Sequence, residues 1–588
     1  MARKWVQGGA FVMEQVDILQ MVTPEDFTEE QLLIAQTTRD FIEKEVLPVD
    51  AQLEALDYPL TVSLLKKAGD TGLLSADIPE SYGGLELDKV TSTLISEELA
   101  RGSSLALSIG AHVGIGTLPI VFFGNEEQKA KYLPLLATGE KIAAYCLTEP
   151  SSGSDALSAK TTAALSEDGA HYVLNGSKLY ITNAGFADLF IVYAKIDGKH
   201  FSAFIVEKGM PGFSMGPEEK KMGIKGSSTR PLYFEDVRIP AGQLLGEKGK
   251  GHVIAFNILN MGRFKLAAGC LGAAKESIEL SADYAITRKQ FGKALADFPL
   301  IQQKLAQMNT LAYVLESMVY RTSGAIDQRF REQPPVDGME TAQAIAEYAI
   351  ECSINKVFAT EALQSICDEG VQIHGGYGYI QEYKIERIYR DARINRIFEG
   401  TNEINRLLIP GMLLKKAMKG ELSLFESMRQ LEKELMNPMT SPQSASLLDQ
   451  LNVLLDQSKR LLLYIGGLAV QTYGEQLEEQ QEVLAGFADL MIDLYAMESC
   501  LARTSKRYRQ SGEEAALLAV QMTQLFMEQT FEKQPIIARK LLTTMSDGDE
   551  RRMHLSILKK LTKFQPGHHV GLGREIAKRV IEQKGYSV

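Results

Sequence analysis

Cysteine is scarce in this chain and never closely spaced: Cys146, Cys270, Cys352, Cys367 and Cys500 lie far apart, with no C-x-x-C pair among them. That argues against a disulfide frame or a zinc ribbon and suits buried thiols in a reducing, cytoplasmic-type compartment. Positive charge is also short. With 63 Lys and Arg against 75 Asp and Glu the formal net charge is −12, and no basic stripe of useful length interrupts it, so a nucleic-acid partner is set aside. Histidine is sparse, and neither the adjacent His568 and His569 nor the isolated His374 has a third ligand at metal spacing, so no metal is expected. Long apolar runs are missing as well: residues 461–470 make the longest, about ten residues where about 20 would span a bilayer. Arg3 and Lys4 are followed by Gln7, Gly8, Gly9 and Glu14, which interrupt any secretory apolar core, so neither an export signal nor a membrane span is expected.

What is present is material for several cores. The 588 residues are 45% hydrophobic and 23% charged, enough for roughly 3–4 domains. Residues 28–144 show helical spacing, as in Leu32, Leu33, Phe41 and Ile42, with breaks at Tyr82-Gly83-Gly84 and around Gly114 and Gly116. Residues 145–247 change to short β-branched and aromatic runs. There Asn175-Gly176, between 171–174 and 178–182, predicts a type I′ hairpin, and further runs follow at 189–194 and 201–206. Helical periodicity returns over 248–419, with bundle-length stretches at 263–287, 300–327 and 341–368. Beyond a linker marked by Met436-Asn437-Pro438 and Ser441-Pro442, residues 440–588 read as a further all-α domain. The fold class is therefore α+β: a helical domain, a central β-domain, a helical bundle and an additional C-terminal helical domain.

Familiar cofactor motifs fail on inspection. Gly114-x-Gly116 is followed by Pro119 and has no preceding strand, so it is no dinucleotide fingerprint. The glycine-rich Gly246-Glu247-Lys248-Gly249-Lys250-Gly251 lacks the phosphate-loop pattern and reads as a surface turn. Two segments stand apart. Residues 145–155 pass from a strand into Glu149-Pro150-Ser151-Ser152-Gly153-Ser154-Asp155, which offers backbone N–H groups and hydroxyls to a phosphate or a flavin edge, although a plain polar turn has the same composition. Arg396-Ile397-Phe398-Glu399-Gly400-Thr401-Asn402 sets a carboxylate between an aromatic ring and a glycine, where an apolar cleft would raise its pKa toward that of a useful base and an open loop would leave it ordinary.

Together with Lys178-Leu179-Tyr180-Ile181-Thr182-Asn183, Gly223-Ile224-Lys225-Gly226-Ser227-Ser228, Arg288-Lys289-Gln290-Phe291-Gly292 and Gln372-Ile373-His374-Gly375-Gly376-Tyr377-Gly378, these segments resemble the acyl-CoA dehydrogenase family over residues 28–415. The C-terminal extension, with Asn260-Met261-Gly262-Arg263, looks most like its very-long-chain branch. The resemblance implies FAD as cofactor, held beside Tyr145, Leu147, Thr148, Ser154, Tyr180, Ile181 and Thr182, with Thr401 and Glu403 after the catalytic loop. It further implies that Arg288, Gln290, Phe291, Gln372, Gly375 and Gly376 reach the FAD of a neighbouring subunit, so the protein would be a homo-oligomer, a dimer in this branch. Tyr180 stands where tryptophan is frequent in the family, and Pro299 where glutamine is.

Glu399 matches the family's base, which takes the Cα proton of a fatty acyl-CoA while hydride leaves Cβ; Ser154, Asn260, Arg263, Phe398 and Gly400 match positions near the substrate. Some branches place the base just before the residue that here is Arg263, and that position is Gly262. An electron-transferring flavoprotein is the implied acceptor. Acyl-CoA oxidation by oxygen, or a non-catalytic assembly protein that keeps the fold, are the alternatives. The C-terminal domain either packs in place of a second dimer or touches a membrane through Lys459-Arg460-Leu461-Leu462-Leu463-Tyr464.

Overall fold

Strand Leu189–Ile196 is apolar at nearly every position because both of its faces are covered. Leu189, Ile191 and Tyr193 join the core shared with the helices, whereas Phe190, Val192, Ala194 and Ile196 join a separate core on the other face of the sheet. The computed structural model describes residues 5–435 and 446–588. Arg3 and Lys4 lie outside them, as do the proposed linker residues Met436, Asn437, Pro438, Ser441 and Pro442. Among the described residues eight strands form one sheet, in the order Phe213–Met215, Thr229–Pro240, His171–Thr182, Thr162–Leu165, Leu189–Ile196, His200–Glu207 and Leu244–Leu245, with Ala143–Cys146 added parallel to Leu189–Ile196.

The sequence misleads at Asn175-Gly176. No hairpin turns there: His171–Thr182 is one strand, paired antiparallel with Thr229–Pro240, and the bulge at this level lies in the partner, where Glu235 and Asp236 together face Asn175 and Asp236 takes a φ of +50°. The Asn175 amide exchanges hydrogen bonds with Asp236 across the ladder, at 3.0 and 2.9 Å. Gly176 takes a φ of +145°, and a Cβ there would strike Thr161. A pair that tolerates positive φ permits a tight turn but does not force one where the partner strand is long enough to continue the ladder.

Short helices, from Glu29–Phe41 to Glu126–Ala137, join the core on the face of the sheet that presents Leu189, Ile191 and Tyr193. Within Lys89–Phe123 they form a run long and apolar enough to cross a membrane by length and composition, yet 67% of its most apolar window is buried inside the protein. Gly114 and Gly116 fall in a π-helical turn of that run, at the break expected from sequence. Gly251–Thr287 joins the same core, runs for about 55 Å and packs against Lys89–Leu99, Pro299–Glu332 and Ala349–His374. The stretch expected as one helix over 341–368 is two, Gly338–Ala346 and Ala349–His374, with a break at Tyr348.

The C-terminal helices are Leu447–Tyr473, Gln481–Met545, Gly548–Leu561 and His569–Gln583, with Gly512 at φ +83° interrupting the longest. In Leu447–Tyr473 the side chains of Leu461, Leu462 and Leu463 are buried and Lys459 is bound to Glu498 at 2.7 Å, so this stretch turns inward and is not the membrane contact considered from sequence. Residues 5–27, which sequence reading left unassigned, cross the bundle as a strap: Phe11 packs edge-on against Tyr495 and Glu25 pairs with Arg503 at 2.9 Å. The C-terminal residues are held too, with Ser587 and the Asn309 amide exchanging two hydrogen bonds.

Candidate active site

Glu399 sits in a turn that its sequence makes unavoidable. The chain leaves Arg393–Arg396, and Glu399 and Gly400 both take positive φ, +56° and +79°. Thr401 then caps helix Asn402–Met418, its hydroxyl accepting from the Ile404 N–H. Left-handed backbone is easy for glycine and costs a glutamate of order 1–2 kcal/mol, so the turn has to be held. Arg263 Nε donates to the Glu399 carbonyl at 3.0 Å; Lys356 Nζ and Asn405 Nδ2 donate to the Gly400 carbonyl at 2.7 and 2.8 Å. The cations grip the carbonyls, leaving the carboxylate free.

That carboxylate is electrostatically exposed to its own burial. Glu399 Oε2 is shielded from solvent and has no hydrogen-bond partner. Burial pushes its pKa up, Arg263 and Lys356 pull it down, and the balance stands at about 7. Gly262 is the reason the side chain fits: a Cβ there would lie 2.6 Å from Glu399 Oε2. The position weighed from sequence as an alternative place for the base is thus the position that must lack a side chain here.

Glu399 and Phe398 face an elongated, mainly apolar cavity between Lys89–Phe123 and helix Gly251–Thr287. Along that helix its lining runs from Gly262 through Leu266, Gly269 and Ala273 to Glu276, a length of about 21 Å. Glycines keep the bore open. A Cβ on Gly110 or Gly269 would meet nothing within 4 Å, and one on Gly114 only Lys265 Cδ at 4.0 Å. At the far end the Glu276 carboxylate pairs with Lys384 at 2.6 Å.

Beside Glu399 the sheet presents the other predicted residues. Tyr145 is buried with its hydroxyl unpartnered; Leu147 is buried, Ile181 likewise, and Thr182 reaches the cavity. Tyr180 is the extra residue of a second bulge, at φ +59°, which turns its ring outward to 60% exposure. The two segments are tied by Leu179 N–H to the Thr148 carbonyl, 2.9 Å, and Lys178 Nζ to the Leu147 carbonyl, 3.2 Å. Lys178 also pairs with Glu149 at 2.7 Å, both side chains buried, and Glu149 accepts the Lys160 and Thr161 N–H groups, so the loop that carries the exposed Ser154 is anchored from below. Sequence reading missed Glu149, Lys178 and Lys356; a charged residue inside an apolar strand or helix was the available signal.

Asn260 and Arg263 lie beside the Glu399 turn. Arg263 Nη1 donates to Asn260 Oδ1 at 2.8 Å, both residues are buried, and together they brace the Glu399 turn. Arg288, Gln290, Gly375 and Gly376 line a second hollow with Tyr284 and Tyr377, whereas Phe291, 94% exposed, packs edge-on against Phe298, and Gln372 is exposed at the end of helix Ala349–His374. Arg263 and Arg288 are separated by 25 positions along and just past one helix, about 38 Å, so a single chain does not bring the two groups together. Glu403 is exposed on the first turn after Thr401.

The orphaned Tyr145 hydroxyl and Glu399 Oε2 and the out-turned Tyr180 ring suit a planar aromatic group with a polar edge. Comparison with known proteins gives that site a context. Family models described as acyl-CoA dehydrogenase N-terminal, middle and C-terminal domains match residues 28–140, 144–237 and 249–413, and a further C-terminal-domain model matches 457–560. A Bacillus subtilis protein described as a "probable acyl-CoA dehydrogenase" is 55% identical over 99% of this chain and 98% of its own length. The human very long-chain specific acyl-CoA dehydrogenase is 36% identical over 83% of this chain and 77% of that protein. The crystal structure of an acyl-CoA dehydrogenase from Bacillus anthracis complexed with FAD superposes with a TM-score of 0.98, at 54% identity, covering 99% of this chain and all of that one.

Proposed function

The chain belongs to the acyl-CoA dehydrogenase family of FAD-dependent oxidoreductases, and from that premise we propose that it desaturates long-chain fatty acyl-CoA between Cα and Cβ, with Glu399 as the base. One observation carries this reading: an unpartnered carboxylate, poised near neutrality, at the mouth of an apolar cavity about 21 Å long. A fully extended chain advances about 1.2 Å per bond, so the cavity suits an acyl tail of roughly 16–18 carbons.

Tyr145, Leu147, Thr148, Ser154, Tyr180, Ile181 and Thr182 would hold FAD from one subunit. Arg288, Gln290, Phe291, Gln372, Gly375 and Gly376 would do so from the other, which makes a homodimer the smallest complete unit. When bound, FAD supplies the hydride acceptor. Glu399, ionised, removes the Cα proton. Its free oxygen makes this a short transfer without a competing hydrogen bond to break. The Glu399 N–H, which donates to no protein carbonyl among the described residues, would meet the thioester oxygen and stabilise the charge that builds there. Phe398 and the cavity wall exclude water and fix the chain so that Cα faces the carboxylate. An electron-transferring flavoprotein then takes the electrons, as in fatty acid β-oxidation.

Anaerobic palmitoyl-CoA should bleach the flavin of the purified holoprotein, and Glu399→Gln should keep the flavin and bind substrate without bleaching it. An oxidised spectrum that persists with short, medium and long acyl-CoAs would overturn the proposal, and peroxide formed in air at the rate of turnover would assign the electrons to oxygen instead. A rate that peaks at butyryl-CoA would overturn the chain length alone.

A further inference from the structure

Two cations touch the Glu399 turn. Arg263 holds the Glu399 carbonyl, and Lys356, fully withdrawn from solvent in the middle of helix Ala349–His374, holds the next one. A lysine buried in a helix interior forfeits its hydration, and such a residue persists where a specific acceptor set compensates. Lys356 has one: the Gly400 carbonyl and Asn402 Oδ1, each at 2.7 Å. Asn402 is itself fixed, its Nδ2 donating to Thr360 Oγ1 and to Glu361 Oε1, both at 3.0 Å. Among the described residues no carboxylate is paired with the Lys356 ammonium directly, so its charge acts on the groups around it.

We propose that Lys356 is a positioning residue for the deprotonation step: its ammonium, anchored on the Gly400 carbonyl, holds the Glu399 carboxylate in its orientation and sets the pH at which that carboxylate ionises. The inference rests on Glu399 being the base. The groups that face Lys356 are Arg263 and Cys270 from helix Gly251–Thr287, Glu399 from the turn, and Glu403 from helix Asn402–Met418; Glu361, on its own helix, is occupied by Arg406. Tyr145 lies across Glu399 from the sheet. Of the carboxylates among these, Glu399 alone has a buried oxygen without a hydrogen-bond partner. The physics is mutual. Burial pulls Lys356 down to about 8, and burial pushes Glu399 up to about 7 against the two cations. Removing the ammonium takes away one of the two charges that favour the carboxylate, so its pKa must rise.

The test uses the holoenzyme with bound FAD. Lys356→Gln keeps a donor for the Gly400 carbonyl and drops the charge; Lys356→Met drops both. Anaerobic stopped-flow reduction by palmitoyl-CoA across the neutral range should place the acid limb of wild type near 7 and that of Lys356→Gln nearer about 8, with less than about a twofold change in KM. Lys356→Met should add a loss of about 100-fold in limiting rate, from misorientation of the turn. An acid limb that does not move in a Lys356→Gln protein with full flavin content overturns the inference. Should neither variant fold, wild type still decides: the infrared carboxylate band assigned by its loss in Glu399→Gln should show a second, smaller step near pH 8 as Lys356 deprotonates, and a single step overturns the inference equally. If Glu399→Gln is inert while the Lys356→Gln limb stays in place, only the role of Lys356 fails. If Glu399→Gln is active, the base assignment fails first.

Discussion

Glu316 and Glu399 are both withdrawn from water, one where the strap, the C-terminal helices and the bundle meet, the other at the mouth of the acyl cavity. Glu316 has a partner on each oxygen: Lys275 on one, Arg503 and the Tyr586 hydroxyl, both at 2.6 Å, on the other. Burial opposes its charge, but Lys275 and Arg503 outweigh burial and bring it down to about 2. Glu399 also has two cations nearby, yet both are hydrogen-bonded to carbonyls, and its pKa stands at about 7. What separates a structural carboxylate from a reactive one here is which atom the cation holds. The junction spends its charges on one another, and the cleft leaves one unspent.

The strongest way to break this contrast is Glu399→Gln. Loss of a positioned base should lower the rate of flavin reduction by about 10⁴-fold, read by anaerobic bleaching, with no loss of thermal stability. A variant that reduces the flavin within tenfold of wild type would put Glu399 in the same class as Glu316. The converse change is Arg503→Met. It leaves Glu316 and Glu25 without their shared cation and should cost about 3–5 kcal/mol, seen as a lower urea midpoint, while the molecules that remain folded turn over normally. Loss of turnover at unchanged stability would mean that the junction takes part in catalysis.

The glycines repeat the contrast at smaller scale. Gly110 faces open cavity, whereas a Cβ on Gly324 would lie 2.4 Å from Val22 of the strap. Gly110→Leu should therefore leave stability nearly unchanged and cut kcat/KM for palmitoyl-CoA by about 10- to 100-fold relative to octanoyl-CoA. Gly324→Ala should cost about 1–3 kcal/mol by overpacking with the chain-length profile intact. A Gly110→Leu profile that matches wild type would move the tail out of this cavity.

Much of this division is visible in the sequence and part of it is not. Leu189–Ile196 declares itself by unbroken hydrophobicity, and Tyr82-Gly83-Gly84 marks a break through backbone freedom alone, whereas the break at Gly512 went unread. Glu399 is conspicuous between an aromatic ring and a glycine, but its lack of a partner depends on Gly262, which lies far away in sequence. Lys356 stands in an apolar helical stretch, which hints at burial, but its acceptors Gly400 and Asn402 lie more than 40 residues away in sequence. Asn175-Gly176 fails for a related reason: a positive-φ pair permits a turn, and whether it becomes one depends on the length of Thr229–Pro240, its partner across the sheet. Local chemistry names the candidates, and tertiary neighbours assign their states.

The two carboxylates should also leave opposite marks on stability as pH changes. Glu316 has a folded pKa of about 2, below its ordinary value of 4.5. Its contribution is complete above about 4.5 and is lost as pH falls through about 2, so the deficit of Glu316→Gln should be full at neutral pH and shrink on acidification. Glu399 is raised from 4.5 to about 7. Below about 4.5 the carboxyl is neutral in folded and unfolded chains alike and costs nothing. Between about 4.5 and 7 the unfolded chain releases the proton first, which favours unfolding, and above about 7 the cost is constant. Glu399→Gln should accordingly match wild type in urea near pH 4.5 and become more stable by about 1–2 kcal/mol at pH 8, the solvent that reaches the site keeping the gain modest. Urea midpoints taken at the two pH values check it. A Glu399→Gln advantage independent of pH would mean that packing, not the unspent charge, is what the site gives up for its chemistry.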